Sequence, residues 1–173
     1  MDTGEWIRKA QAGDKDALVR LVMDKKDEYY RLAYVYLNNR EDALDALQEM
    51  IVLLFRNIRK LKDPGAFYSW SKTILVNCCR SALRKRGRVV FLNDKREEAY
   101  HENYHRQELQ EDLERYLKKL NRHQQEAIRL RYFLDMDYET ISVITGTALG
   151  TVKSRISLGL DRLRKLLGGE YDA

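Results

Sequence analysis

The sequence predicts an all-α protein made of two small helical domains joined by a flexible linker. Three observations predict it. Apolar residues recur at three- and four-residue spacing through most of the chain, while two-residue alternation over strand-length windows is scarce. One proline and nine glycines in 173 residues leave room for long uninterrupted helices. Between Gly87 and about Arg106 the periodicity fades and charged residues, asparagine and histidine take over. The chain therefore divides into residues 1–86, a linker at 87–106, and residues 107–173.

The elements follow in order. Trp6, Ile7 and Ala10 mark a short first helix, broken at Gly13-Asp14, where Asp14 can cap a second helix carrying Ala17, Leu18, Leu21 and Val22. A third runs from about Asp27 to Leu37, with Tyr30, Ala33, Tyr34 and Leu37 on one stripe. Asn38-Asn39-Arg40 is a turn, and Asn39 can cap the helix from Glu41 to about Leu61, whose apolar positions are Leu44, Leu47, Ile51, Leu54, Phe55 and Ile58. Asp63-Pro64-Gly65 is the clearest turn in the chain. Beyond it a helix from Ala66 to about Lys85 starts aromatic (Phe67, Tyr68, Trp70) and ends basic. Helical patterning resumes at Leu109, passes through Leu113, Leu117 and Leu120, and continues from Ala127 to Phe133. Two short helices then follow around Gly146, the second extending through Leu160, Leu163, Leu166 and Leu167.

Hydrophobic residues make up 44% of the chain, enough for compact cores. The net charge of +5 matters less than its distribution. Arg80, Arg84, Lys85, Arg86 and Arg88 form one acid-free block, and Lys153, Arg155, Arg162, Arg164 and Lys165 form a second basic block. Two separated basic patches suggest two contacts with one polyanion. Residues 1–15 have no apolar core, so no signal peptide is expected, and no window is long and apolar enough to span a bilayer. Cys78 and Cys79 are adjacent, a poor geometry for a structural disulfide. A reducing cytoplasm fits these features.

The segment from Tyr138 to Arg155 carries the most chemistry. Ile141, Ile144, Val152 and Ile156 supply apolar positions at helical spacing, and Gly146 falls where the first helix must stop and reverse. This is a helix-turn-helix, whose second helix suits a DNA major groove. Lys153 and Arg155 can reach phosphates or guanine edges, and Thr151 and Ser154 can donate to phosphate. Earlier in the chain, Asp42, Asp45 and Glu49 lie at i, i+3 and i+7 with Gln48 beside them, giving one helix an acidic face opposite an apolar one. Such a stripe repels DNA and suits a basic protein partner; the competing reading is a solvated helix face. The aromatic-to-basic helix interleaves Phe67 and Trp70 with Lys72, Arg80, Arg84, Lys85 and Arg86. Rings that stack on bases beside cations that neutralise phosphates suit a single strand. For Phe67 and Trp70 the competing reading is core packing, favoured most for Trp70.

These blocks resemble an extracytoplasmic-function sigma factor, the minimal two-domain type of the sigma-70 family, over nearly the whole chain. Residues 39–49, Asn-Arg-Glu-Asp-Ala-Leu-Asp-Ala-Leu-Gln-Glu, with Phe55-Arg56-Asn57-Ile58, look like region 2.1–2.2. The resemblance implies that Asp42, Asp45, Gln48 and Glu49 dock on the coiled coil of the polymerase β′ subunit. The segment from Asp63 to Arg86 is similar to regions 2.3 and 2.4, which melt the −10 element. There Phe67, Trp70, Lys72, Asn77, Arg80, Arg84, Lys85 and Arg86 would contact DNA, with Asn77 at the position that reads a flipped base. Ser81 stands where the family often has an acid. Residues 120–133 and the helix-turn-helix look like region 4, which meets the β flap and reads the −35 element, here through Thr151, Lys153, Ser154 and Arg155. The family's common Leu-Pro opening is Leu120-Asn121, and Leu158 and Leu160 replace basic positions.

The resemblance implies a promoter-specificity subunit with RNA polymerase core, promoter DNA and an anti-sigma factor as partners, the last able to hold it at the membrane. Acids at Asp94, Glu97, Glu98 and Glu102 would let the linker run through the RNA exit path as a nucleic-acid mimic. No phosphate loop, nucleophile elbow or acid/base pair is present, so no intrinsic catalysis, cofactor or small-molecule substrate is expected. His101 and His105 are four apart, but no further ligand completes a zinc site. His123 reads as a surface residue and Cys78 as a small core residue. The rival from another class is a stand-alone helix-turn-helix regulator of duplex DNA. It explains residues 138–155 but neither the acidic face nor the aromatic-basic helix.

Overall fold

The computed structural model describes residues 2–90 and 104–171, with side-chain surroundings within 2–87 and 111–168. The described residues are helical throughout, without a strand, as the periodicity predicts. Helix α1 (Thr3–Gln11) begins in a capping box: the Glu5 amide donates to the Asp2 carboxylate at 2.8 Å, and the Asp2 amide to the Glu5 carboxylate at 3.1 Å. Asp14 caps α2 (Lys15–Asp24) as expected. Helix α3 (Lys26–Leu37) stops at Asn38, which takes the left-handed conformation that asparagine tolerates. Asn39 then caps α4 (Arg40–Asn57).

Helix α4 ends four residues earlier than its pattern suggests and tightens into a 3₁₀ turn, Ile58–Lys60. The Gln11 side chain fixes that turn, donating to the carbonyls of Ile58 at 3.1 Å and Leu61 at 2.9 Å. After a second 3₁₀ turn at Pro64–Ala66, where the Asp63 carboxylate accepts from the Gly65 amide, α5 runs over Phe67–Val90. It continues past residue 86, so helix extends into the segment read as linker. Helix α6 (Tyr104–Leu117) likewise starts inside it. Helices α7 (Arg122–Phe133), α8 (Tyr138–Thr145) and α9 (Leu149–Tyr171) complete the chain. Asp94, Glu97, Glu98 and His101 lie outside the described residues, as do the side chains of Glu102 and His105.

Two stripes are rotated from their expected positions. On α3 the core side chains are Tyr29, Leu32, Ala33 and Leu37, while Tyr34 is exposed. The Tyr29 hydroxyl reaches the buried Ser71 hydroxyl on α5 at 2.7 Å, a satisfied polar pair inside the core. On α4 the buried positions are Ala43, Ala46, Met50 and Leu54, with Leu44, Val52 and Phe55 exposed. Helix α4 packs against both α3 and α5. Alanines on the crowded side let three helices approach closely, and this turns the larger side chains outward.

The N-terminal and C-terminal helices are packed on each other. Helix α8 lies against α5, and α7 against α3. Ala127, Leu130, Ile141, Ile144, Val152 and Ile156 join the buried residues of α1–α5 in one core. A smaller cluster of Leu117, Leu120 and Ile128 holds α6, α7 and α9 together. Gly159 marks the closest approach there: a β-carbon on it would lie 2.5 Å from Ile128 Cδ1.

Candidate functional site

The helix-turn-helix is α8 and α9. Asp137 caps α8 through the Thr140 amide at 2.7 Å, and its carboxyl is held below the usual carboxylate range by the Thr140 hydrogen bonds. Gly146 ends α8 at φ +64°, a left-handed conformation that glycine reaches without a Cβ penalty. The turn is tied by the Ser142 hydroxyl, which donates to the Thr147 carbonyl at 2.6 Å. Ile141, Ile144, Val152 and Ile156 are all buried, which turns the opposite side of α9 to solvent. There Thr151, Lys153 and Ser154 are exposed. Arg155 is half-buried and donates to the Thr147 hydroxyl at 3.3 Å. Leu158 is 56% exposed on this helix. Asn121 replaces a helix-opening proline without loss: its side chain accepts from the Gln124 amide at 2.8 Å in a capping box.

On α4 the rotation found in the fold changes the character of the acidic face. Glu41, Asp45, Gln48 and Glu49 are exposed, and beside them stand Leu44, Val52 (48% exposed) and Phe55 (39%). With 100° per residue, the exposed arc runs from Leu44 and Phe55 through Gln48 and Val52 to Asp45 and Glu49. It is a mixed face, apolar on one flank and anionic on the other. Lys15 on α2 reaches over the Phe55 ring at 5.3 Å. Asp42 is set apart. It is paired with Arg86 on α5, and Arg86 also donates to the Leu37 carbonyl at 2.9 Å. Two residues assigned to different surfaces by the sequence are thus partners of each other.

The aromatic-basic helix is corrected in one respect. Phe67 is 0% exposed, packed edge-on against Tyr68 and tilted against Trp70, so its ring fills the core and does not present a face to a base. Trp70 is half-buried and packs against the core, in line with the core-packing reading. Of the cations, Arg84 and Lys85 are exposed. Lys72 is tied to Glu28 at 3.0 Å, an interaction that also lowers the Glu28 pKa. Arg80 is held more firmly: its Nε and Nη2 donate to the two Glu126 oxygens at 2.9 and 2.7 Å.

Asn77 is exposed on α5 at the edge of a shallow cleft of about 190 Å³, lined also by Glu49, Leu53, Ile74, Cys78 and Ser81. Glu49 on α4 thus brings a carboxylate to the cleft where Ser81 has none. Cys78 and Cys79 are buried free thiols whose pKa values are pushed up to about 11 and about 12, chiefly by burial. They are core residues. Among the described residues no group of His, Cys, Asp and Glu could hold a metal ion, and no helix is long and apolar enough to cross a membrane.

Fold and surfaces together define an all-helical protein with a C-terminal helix-turn-helix and a mixed apolar and anionic face on α4. Comparison with known proteins narrows the class. The family model for sigma-70 region 2 matches residues 21–89 and that for sigma-70 region 4 matches residues 110–163. The RNA polymerase sigma factor SigV of Bacillus subtilis is 32% identical over 156 residues, covering 90% of this chain and 94% of its own. The ECF RNA polymerase sigma-E factor of Haemophilus influenzae is 30% identical over 165 residues, covering 87% of each. Among solved structures, the sigma factor RpoE in complex with the anti-sigma factor NepR from Bartonella quintana superposes with a TM-score of 0.61 at 27% identity, over 86% of this chain and 95% of that one. CnrH in complex with the cytosolic domain of CnrY shares the fold, with a TM-score of 0.69 at 21% identity over 97% of this chain and 99% of that one.

The chain belongs to the extracytoplasmic-function sigma factors of the sigma-70 family. It is a promoter-specificity sigma factor, a transcription initiation factor that binds RNA polymerase core and promoter DNA.

Proposed function

We propose that this sigma factor divides its work among three surfaces. The α4 face docks on the β′ coiled coil through Asp45, Gln48 and Glu49, with Leu44, Val52 and Phe55 as the apolar part of the contact. The observation that carries this reading is the exposure of those three large apolar side chains next to a row of carboxylates. A protein interface combines an apolar centre with charges that set orientation, whereas a merely solvated face has no use for exposed Leu, Val and Phe together. Asp42 contributes indirectly, by fixing Arg86.

The second surface is α5, where Trp70, Asn77, Arg84 and Lys85 meet the melted −10 strand. Asn77 reads a flipped base in the cleft beside Glu49 and Ser81, and Lys72, Arg80 and Arg86 join once released from their carboxylate partners. The third is α9, which enters the −35 major groove with Thr151, Lys153, Ser154 and Arg155, while Leu158 favours an apolar contact such as a thymine methyl. Residues 1–86 form the polymerase-binding and −10 domain, 87–106 the connection, and 107–173 the −35 domain, which also meets the β flap. The protein performs no catalysis of its own, works in the cytoplasm, and is held in check by an anti-sigma factor. Fluorescence titration with purified core polymerase tests the assignment. Wild type binds core, and Asp45→Ala/Gln48→Ala weakens that binding while leaving duplex DNA binding intact. Binding to duplex DNA with no affinity for core would instead support a stand-alone regulator.

A further inference from the structure

The cations of this protein are held in two different ways. On α5, Lys72, Arg80 and Arg86 are each paired with a carboxylate, from Glu28, Glu126 and Asp42 respectively. In the helix-turn-helix the partners are uncharged. The Lys153 ammonium lies over the Tyr138 ring, 5.9 Å from its centroid, and the Arg131 guanidinium lies over the same ring at 5.0 Å. Both fall within the roughly 6 Å over which a ring quadrupole attracts a cation. Arg131 is fixed in turn by its Nη1, which donates to the Met136 carbonyl at 3.0 Å. Among the described residues neither Lys153 nor Arg131 forms an ion pair. Tyr138 is the first residue of α8 and is half-buried against the core, so packing sets the place of its ring. Lys153 is exposed on α9.

We infer that Tyr138 is a positioning residue for Lys153, its ring holding the ammonium on the DNA side of the recognition helix without neutralising it. A lysine carries its charge on a flexible four-carbon stem and loses much rotamer freedom when it binds. A ring that orders the stem beforehand removes part of that cost from DNA binding. A carboxylate would order the stem as well, but it would offset the charge and have to be displaced by phosphate. The ring leaves the positive charge and the ammonium N–H donors available to a phosphate or a base edge. Arg131 steadies the ring from a place that the Met136 carbonyl sets. Arg155 is held differently, half-buried and donating to the Thr147 hydroxyl, so Lys153 is the more accessible of the two charges. This inference rests on the proposed role of Lys153 at the −35 element.

Nuclear magnetic resonance of the full wild-type chain reads the contact without any substitution. The Lys153 ε-methylene protons, assigned by their absence in Lys153→Met, should lie upfield of those of the other lysines because the ring face shields them. They should stay there in Tyr138→Phe and move downfield in Tyr138→Leu. An unshielded position in wild type overturns the inference. Fluorescence anisotropy with a mixed-sequence duplex reads the consequence for DNA. Tyr138→Leu, folded by circular dichroism, should bind about two- to fivefold more weakly than wild type with an unchanged salt dependence, and Tyr138→Phe should bind like wild type. Lys153→Met should weaken binding and flatten the slope of log affinity against log salt by about 1. Adding Tyr138→Leu to Lys153→Met should change nothing more. Equal affinity of Tyr138→Leu and wild type, with a loss in Lys153→Met, would overturn the positioning role and leave Lys153 on DNA. An equal loss from Tyr138→Leu with and without Lys153 would show the ring acting on its own and overturn the role too. No loss in Lys153→Met would remove Lys153 from the DNA contact, and the inference with it.

Discussion

Phe67 separates a core residue from a base-stacking one, and its replacement gives different outcomes for the two. Its ring is 0% exposed, 5.3 Å from the Tyr68 ring at 78° and 6.2 Å from the Trp70 ring at 55°. Phe67→Ala removes a fully buried aromatic and should cost about 3–5 kcal/mol. Of that, about 0.5–1.5 kcal/mol belongs to each aromatic pair. At about 2–4 °C per kcal/mol for a chain of this size, the melting temperature should fall by about 6–20 °C. Phe67→Leu keeps most of the apolar volume and should cost no more than about 2 kcal/mol. Thermal unfolding followed at 222 nm measures both, and run-off transcription below the melting transition should show Phe67→Leu close to wild type. A Phe67→Leu protein that melts like wild type yet fails to open promoters would refute the reasoning, because a ring needed only for packing is replaceable by leucine.

Other consequences follow from single features. Gly146→Ala must place a Cβ at φ +64° with nothing within 4 Å to clash, so it isolates backbone strain; it should cost about 1–2 kcal/mol in urea unfolding, and Gly146→Asn less. Cys78 and Cys79, with pKa values raised to about 11 and about 12, should resist iodoacetamide at pH 8 in the folded protein and react at once in urea. Rapid native labelling would contradict their burial. Glu114 accepts from both Arg129 nitrogens, at 2.7 and 2.8 Å, and Arg129 lowers its pKa below 4.5. A depressed carboxyl stabilises the fold above its unfolded pKa, and that contribution is lost as pH falls through the folded value. The urea midpoint should therefore drop below about pH 4.5, and the drop should be shallower in Glu114→Gln.

Most of the local structure was legible because its causes are local. Asp14, Asn39 and Asp63 cap or tie the turns where the sequence placed them, and Gly146 reverses the chain between two helices whose buried residues were already marked by spacing. The rotation of α4 was not legible. Leucine and phenylalanine ordinarily outrank alanine for the interior, and only the crowding of α3 and α5 on one side of α4 reverses that order. The full burial of Phe67 was not legible for a related reason: three residues of spacing place it and Trp70 near one face, and how far each is covered depends on helices elsewhere in the chain. The partner of Arg80 was beyond reach, since Glu126 is 46 residues away and nothing in the pattern around it distinguishes it from a solvated acid. The site was thus readable as a set of residue types on helices, and unreadable in which cations are already paired.

The central claim is that α4 delivers this protein to polymerase so that α5 and α9 can act on a promoter. Run-off transcription with core polymerase on a pool of genomic fragments tests it most directly, comparing wild type with Asp45→Ala/Gln48→Ala. Specific transcripts that require the protein, and that weaken in the double variant while its duplex binding is retained, are the predicted result. Transcripts of equal strength from both proteins would contradict the assignment of the α4 face, and no specific transcript from wild type would contradict the account as a whole.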